Sequence, residues 1–382
     1  MGVVTSLGGP CHVHNEQQSS DGPHHRAATQ RALGASIHRW RMHARANVAH
    51  VRRLAESRDG LVSRREALAA GVSLGVIRSL VESGALVTLR PGIYVLAEDW
   101  FEADHLRQRP LLLVRAAHRS LASPHVVSHT SAALAQDLPF LRSRTRLIHV
   151  TKPHGPRARV RAGIKHHQAR YCPEQVRCVD GLPVLDLART ALDIAREDGF
   201  APGVVAIDAA RQRGVTTAAL SETLAAMWKW PGSTTARAAF DFSDPGAESV
   251  GESLTRILLA ELDLGLPIHT QFELRDSSGR VRCDLQVGRH VFEFEGKIKL
   301  LAPEQGGVAD RPAVEILAAR QARHDWVCGF ELGMSHVTWD DLWGARREAT
   351  KRRLRREYAA TVARFGTSID DLAPYIVHRR PP

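Results

Sequence analysis

At 382 residues with 43% hydrophobic content, the chain is too long for one ordinary core and has enough apolar side chains for two or three packed domains. Five scattered cysteines with no CxxC pair argue against a disulfide framework and fit a reduced, cytosolic protein. No apolar run approaches 18 residues, and the N-terminus lacks the apolar core of a signal peptide, so no membrane span or secretion signal is expected. The net charge of +11 rests on arginine, since six of the 52 basic residues are lysine, and where that charge sits matters more than its total.

Residues 1–41 are rich in glycine, serine, glutamine and histidine with little periodicity, and read as a disordered tail. Met42 opens far more globular sequence and is expected to be the natural start. Residues 42–100 then read as a winged helix-turn-helix. A short helix over 49–57 ends at Asp59-Gly60. Ser63, followed three residues later by Glu66, is a capping-box pattern opening a helix over 64–70 that Gly71 stops. Ser73 caps the next helix, whose Val76, Ile77, Leu80 and Val81 recur at helical spacing. After Ser83-Gly84, residues 85–95 read as a two-stranded ribbon turning at Arg90-Pro91-Gly92. Arg64, Arg65, Arg78 and Arg90 are the candidate phosphate and base contacts.

Residues 101–240 read as a mixed α/β domain, with strands over 125–129, 146–151 and 164–169, a helix over 130–136 and helical spacing through 182–197. Between 141 and 170 lie nine basic residues and no acidic one: Arg142, Arg144, Arg146, Lys152, Arg157, Arg159, Arg161, Lys165 and Arg170. Such a stripe suits the phosphates of duplex DNA, and with aromatic residues only at its edge it offers no stacking platform for single strands. His166-His167 has no third metal ligand at a recognisable spacing and reads as packing or surface histidine. Arg189 and Asp193 stand four apart on one helix face and read as a structural ion pair.

Residues 228–246 contain Trp-Pro-Gly-Ser and Ser-Asp-Pro-Gly and mark a boundary before a domain at 241–345. There a helix over 252–264 precedes a strand over 268–275 and then the hairpin Arg282–Lys297, which turns on Gly288-Arg289 with glycine at the first central position. That turn sets Asp284 opposite Glu293, with Glu295 and Lys297 on the face of Glu293. Cys283, Leu285, Val287, Phe292 and Phe294 point the other way, toward a core. Opposed carboxylates repel, and a hard divalent ion such as Mg²⁺ between them removes that cost. A helix over 314–324 carrying Arg320 and Arg323 and a strand over 335–338 follow. A basic helix fills the tail, 346–382, as a phosphate-contacting arm or a solvated end.

Asp284, Glu293-Phe294-Glu295-Gly296-Lys297 and the preceding helix resemble the PD-(D/E)xK nuclease core, closest to the very-short-patch-repair-like endonuclease domains at the C-terminus of many actinobacterial proteins. The resemblance implies an α-β-β-β-α-β fold of restriction-endonuclease type. It also implies Mg²⁺-dependent phosphodiester cleavage, with Asp284, Glu293 and Lys297 catalytic and Asp284, Glu293, Glu252 and Glu295 around the metal. This chain departs from the pattern where Glu295 replaces the usual aspartate and His336 the usual arginine. The helix AVEILAARQARHDW also lacks the family's Lys-x-Arg-Glu-Asp-like patch. Upstream, GLVSRREALAAGVSLGVIRSLVESGALVTLRPGIYV, VVSHTSAALAQDLP and VDGLPVLDLARTALDIA resemble AbiEi-type antitoxins of type IV toxin–antitoxin systems, which implies operator binding, autoregulation and a nucleotidyltransferase toxin as partner. The joint expectation is a DNA-binding, antitoxin-like α/β multidomain protein with a Mg²⁺-dependent nuclease-like domain. The alternative is a non-catalytic repressor that keeps the nuclease fold as a scaffold.

Overall fold

The computed structural model describes residues 46–57, 59–142, 146–154, 158–296 and 313–377. The expected tail over 1–41, the start at Met42, and Arg144, Arg157 and Lys297 lie outside the described residues. The chain is a mixed α/β protein that divides into two compact units, the first ending at Glu102 and the second beginning at Ala103. No described helix is long and apolar enough to cross a membrane.

The first unit runs α1 (residues 46–56), β1 (Leu61–Ser63), α2 (Arg64–Ala69), α3 (Leu74–Glu82), β2 (Leu86–Arg90), β3 (Ile93–Leu96) and α4 (Ala97–Glu102). Local chemistry sets these boundaries. Ser63 Oγ accepts from Glu66 N, and the Glu66 carboxylate accepts from Ser63 N at 2.8 Å, a reciprocal capping box that starts α2. Ser73 Oγ accepts from Val76 N at 3.3 Å and starts α3, whose buried Ile77 and Leu80 face the core. The sheet order is β1-β3-β2, so the ribbon gains a third strand absent from the sequence reading. Three residues, Leu61-Val62-Ser63, are too few to display a period. Arg64 N donates to Gly92 O at 2.7 Å, tying the ribbon's turn to the start of α2.

The second unit opens with α5 (Gln108–Ser120), β4 (Val126–Val127), α6 (His129–Ala135), β5 (Ile148–Lys152), β6 (Arg159–Arg161), β7 (Ile164–Gln168), β8 (Val176–Val179) and β9 (Leu182–Leu185). These strands form a mixed sheet ordered β6-β7-β5-β4-β9-β8. Four helices follow: α7 (Leu187–Asp198), α8 (Phe200–Gln212), α9 (Thr217–Ala226) and α10 (Ser233–Phe242). The helical spacing read through 182–197 therefore splits. Residues 182–185 pair with β8, and Asp186 caps α7 by accepting from Arg189 N at 2.7 Å. Arg189 and Asp193 form the ion pair their spacing suggests, at 2.8 Å and fully buried.

The chain continues through α11 (Val250–Ala260), β10 (His269–Arg275), β11 (Arg280–Val287), β12 (His290–Glu295), α12 (Ala313–Cys328), β13 (Gly333–Thr338) and α13 (Gly344–Phe365), an α-β-β-β-α-β order followed by the basic helix. The sheet order is β10-β11-β12-β13, antiparallel except for the parallel β12–β13 pair.

The boundary expected near residue 240 falls inside one core. Leu192 of α7, Ile207 of α8, Leu258 of α11, Leu285 of β11 and Leu354 of α13 belong to the same buried cluster. Asp208 of α8 pairs with Arg256 of α11 at 2.8 Å and also accepts from Ser253 Oγ and Asp244 N. The Pro/Gly-rich stretch is thus a turn within a continuous unit. Leu354 and Tyr358 likewise seat α13 on this core, and Arg347 and Lys351 pair with Glu261 at 2.5 and 2.6 Å, so the basic helix is docked along its length.

Candidate metal and nucleic-acid sites

The β11–β12 hairpin pairs Val287 with His290, Gln286 with Val291 and Leu285 with Phe292. Gly288 takes φ 53°, the positive value that the first central position of a type II′ turn requires. Arg289, the other turn residue, is buried; it donates to Ser368 O at 2.6 Å and pairs with Asp371.

One more step in this register would oppose Asp284 and Glu293. Instead the regular pairing stops at Leu285, and the Asp284 carboxylate accepts the backbone N–H of Phe294 at 2.8 Å. On its other side, the β10–β11 pairing passes over Gln271, which has φ 54°, and Asp284. Asp284 therefore sits at an irregularity between two ladders, a place where a strand re-aims its side chains. Cys283 shows the consequence. Rather than joining Leu285, Val287 and Phe292, it packs with Phe272, Leu274, Val291 and Val327 in a second core. Burial, and then the nearby Glu293 carboxylate, push its thiol pKa up.

Glu252, Asp284 and Glu293 line one cleft of about 660 Å³, together with Glu248, Arg282 and Arg323. Glu252 lies in the first turn of α11, where Ser249 Oγ accepts from its backbone N–H at 3.2 Å. Its carboxylate accepts from Glu248 N at 2.8 Å and Gln271 Nε2 at 3.0 Å. Gly251 makes the close approach possible: a Cβ there would stand 2.0 Å from the Phe294 ring, so only glycine lets β12 pack this tightly on the helix. Burial, and then the charge of Asp284, raise the Glu252 pKa to about 7. The same two causes, in the same order, raise Glu293 to about 7 against the opposing pull of Arg323. Burial in the cleft, and then the Asp284 charge, thus disfavour the ionised form of both glutamates.

Glu295 stands apart from this group. Its carboxylate lies 3.3 Å from Arg320 Nη1 of α12 and 2.9 Å from His336 Nδ1 of β13. Being two residues along the strand from Glu293 moves it beyond the cleft, to where these two cationic or titratable partners reach it. Arg323 in turn pairs with Glu293 at 2.7 Å. The sequence reading noted Arg320 and Arg323 on their helix but gave them no role, because contacts between a helix and a strand some thirty residues away leave no periodic signal.

Of the candidate DNA contacts, Arg64, Arg65 and Arg78 are exposed on α2 and α3, while Arg90 is half-buried at the end of β2, where burial lowers its pKa. In the second unit Arg142 and Arg146 are exposed, Arg142 lying 5.5 Å from the Phe140 ring centre. Arg159 and Arg161 are exposed on β6, the edge strand of the six-stranded sheet.

Residues 51–97, from α1 to the start of α4, match the family described as "Transcriptional regulator, AbiEi antitoxin", so the N-terminal region is AbiEi-like. No curated protein matches the chain. Among solved structures, the crystal structure of RV2827C protein from Mycobacterium tuberculosis is similar at 15% identity and a TM-score of 0.35, covering 56% of this chain and 80% of that one.

Proposed function

We propose that this chain is a DNA-binding transcriptional regulator of the AbiEi-antitoxin kind, reading duplex DNA through a winged helix-turn-helix in its first unit. The observation that carries the reading is the family match over 51–97, which coincides with the capped pair α2–α3 and the ribbon β2–β3. In this reading α3 is the recognition helix, Arg78 approaches base edges or phosphates from it, and Arg64 and Arg65 approach phosphates. Antitoxin character brings a nucleotidyltransferase toxin as the protein partner. A gel-shift assay of the purified chain on duplex DNA from its own promoter tests the reading; binding that survives alanine at Arg64, Arg65 and Arg78 together would sink it.

The carboxylate cleft favours a second activity in the same molecule, phosphodiester hydrolysis of PD-(D/E)xK type. It is supported by the convergence of Glu252, Asp284 and Glu293 within an α-β-β-β-α-β arrangement. These residues would hold a divalent cation such as Mg²⁺, which neutralises charge on a phosphodiester when bound. Lys297 is the proposed group that orients the attacking water. Glu295 is engaged by Arg320 and His336 and is left out of this set. A cleavage assay on duplex DNA with Mg²⁺, Mn²⁺ or chelator separates an active nuclease from a fold retained as a scaffold.

A further inference from the structure

Three histidines far apart in sequence converge in the six-stranded sheet of the second unit. His129 is the first residue of α6, separated from β4 by Ser128; His149 lies on β5 and His167 on β7. β4 and β7 both pair with β5, so the three positions are neighbours. One ring nitrogen from each lies within 4.8 Å of the other two. His149 Nδ1 and His167 Nε2 are 3.0 Å apart, and the His129 ring stacks on His167 with centres 3.8 Å apart. All three are buried, at 3%, 7% and 9% exposure.

The geometry points to a binding site for a first-row transition-metal ion of the zinc class, held by His129, His149 and His167. In a tetrahedral site with bonds of about 2.0–2.1 Å, ligand nitrogens stand roughly 3.3 Å apart. The His149–His167 pair already spans nearly one such edge, and a His129 ring nitrogen lies within 4.8 Å of both. Imidazole nitrogen without carboxylate or thiolate selects zinc, copper, nickel or cobalt over magnesium or calcium, which take oxygen.

Further observations bear on the assignment. His129 has φ 51°, a left-handed conformation that costs a non-glycine residue on the order of 1–2 kcal/mol and is characteristic of functional positions. Its Nδ1 is held 3.0 Å from Ser128 Oγ, which accepts from Thr151 Oγ1 at 2.8 Å. That outer contact orients the ring and leaves its Nε2 as the ligand atom. Burial, reinforced by the other two rings, puts His129 well below the ordinary histidine range. Burial lowers His149 to about 4 and His167 to about 3. Arg189 and Arg196, both paired with Asp193, and Lys165, paired with Glu197, are the charged groups whose fields reach the cluster.

Zn²⁺ titration of the full chain carrying Asp284→Asn, which disables the carboxylate cleft, tests the assignment. One Zn²⁺ per chain should bind and raise the melting temperature. His149→Gln and His167→Gln should each weaken binding by more than the roughly 10–100-fold that outer-contact changes cost. His105→Gln, at an exposed histidine, should leave it unchanged. Co²⁺ in place of Zn²⁺ should give, in the wild-type chain as well, the intense visible bands of a four-coordinate nitrogen-ligated ion. No melting shift with Zn²⁺, or a shift that His149→Gln and His167→Gln both retain while folded by circular dichroism, overturns the site.

Discussion

Arg323 reaches from α12 to place a guanidinium nitrogen 2.7 Å from a carboxylate oxygen of Glu293, on a side chain that also borders the cleft of Glu252 and Asp284. A fixed positive charge there competes with any divalent cation for the same oxygens. Arg323→Gln removes the competitor and leaves Glu293 facing Asp284 without compensation. The variant should therefore be less stable than wild type in chelator, yet show a larger rise in melting temperature on adding Mn²⁺. Thermal melts with and without Mn²⁺ provide the check, and an unchanged metal response would show that Arg323 and the ion do not share the site.

The raised acidities of Glu252 and Glu293 have a definite pH signature. Both move from an ordinary 4.5 to about 7 in the folded chain. Between those values the folded state holds protons that the unfolded chain has released. Their contribution to stability is thus fully present below about pH 4.5 and is lost as pH rises through about 7. Each pKa unit corresponds to about 1.4 kcal/mol, so the decline amounts to a few kcal/mol in chelator. Asp284→Asn removes the charge that both glutamates face and should flatten the slope, leaving the variant no less stable than wild type at pH 8. It should also abolish the Mg²⁺-dependent rise, about 2.7 kcal/mol at 100 times Kd in wild type. Chemical denaturation across pH 5–8 reads all of this, and a full Mg²⁺ response in Asp284→Asn would place the metal elsewhere.

For DNA, the exposed arginines predict a steep salt dependence. Each phosphate contact adds about −0.9 to the slope of log K against log salt. Removing Arg64 and Arg65 should flatten the slope by up to about 2 while changing sequence preference little, because phosphate contacts carry no base information. Glutamate at Arg146, Arg159 and Arg161 tests the stripe of the second unit in the same way. Fluorescence anisotropy at several salt concentrations is the measurement, and a slope near zero in wild type would remove the nucleic-acid reading.

The first unit was legible in the sequence because its boundaries are written in capping chemistry. Ser63, Glu66 and Ser73 make the hydrogen bonds their spacing implies. The glycine of the Gly288-Arg289 turn was legible for the same local reason. What the sequence hid depends on long-range placement. The irregularity at Asp284 lies opposite Gln271 on the neighbouring strand, and Cys283 beside it packs in the other core. Glu295 meets Arg320 and His336 only once α12 and β13 are docked. His167 looked isolated because its companions lie 18 and 38 residues upstream on separate elements, brought together by strand pairing and by the turn from β4 into α6.

Asp208 decides how much of the second unit folds together. Its carboxylate is 1% exposed and bonds Arg256 Nη2 and Ser253 Oγ of α11, each at 2.8 Å, together with Asp244 N at 2.7 Å. Arg256 keeps a bond to Phe242 O and lies over the Phe242 ring, but its charge is balanced by Asp208. Asp208→Ala strands that guanidinium in the core, and breaking a buried pair from one side costs about 3–5 kcal/mol. Asp208→Asn retains an acceptor for part of the network and should cost less. Because α8 and α11 share one cluster with β11 and β12, the loss should be felt on both sides of residue 240. Hydrogen exchange followed peptide by peptide should show protection falling together in 200–212 and 280–295. If Asp208→Ala loosens 200–212 and leaves 280–295 at wild-type protection, the two regions are separate folding units and the shared core does not couple them.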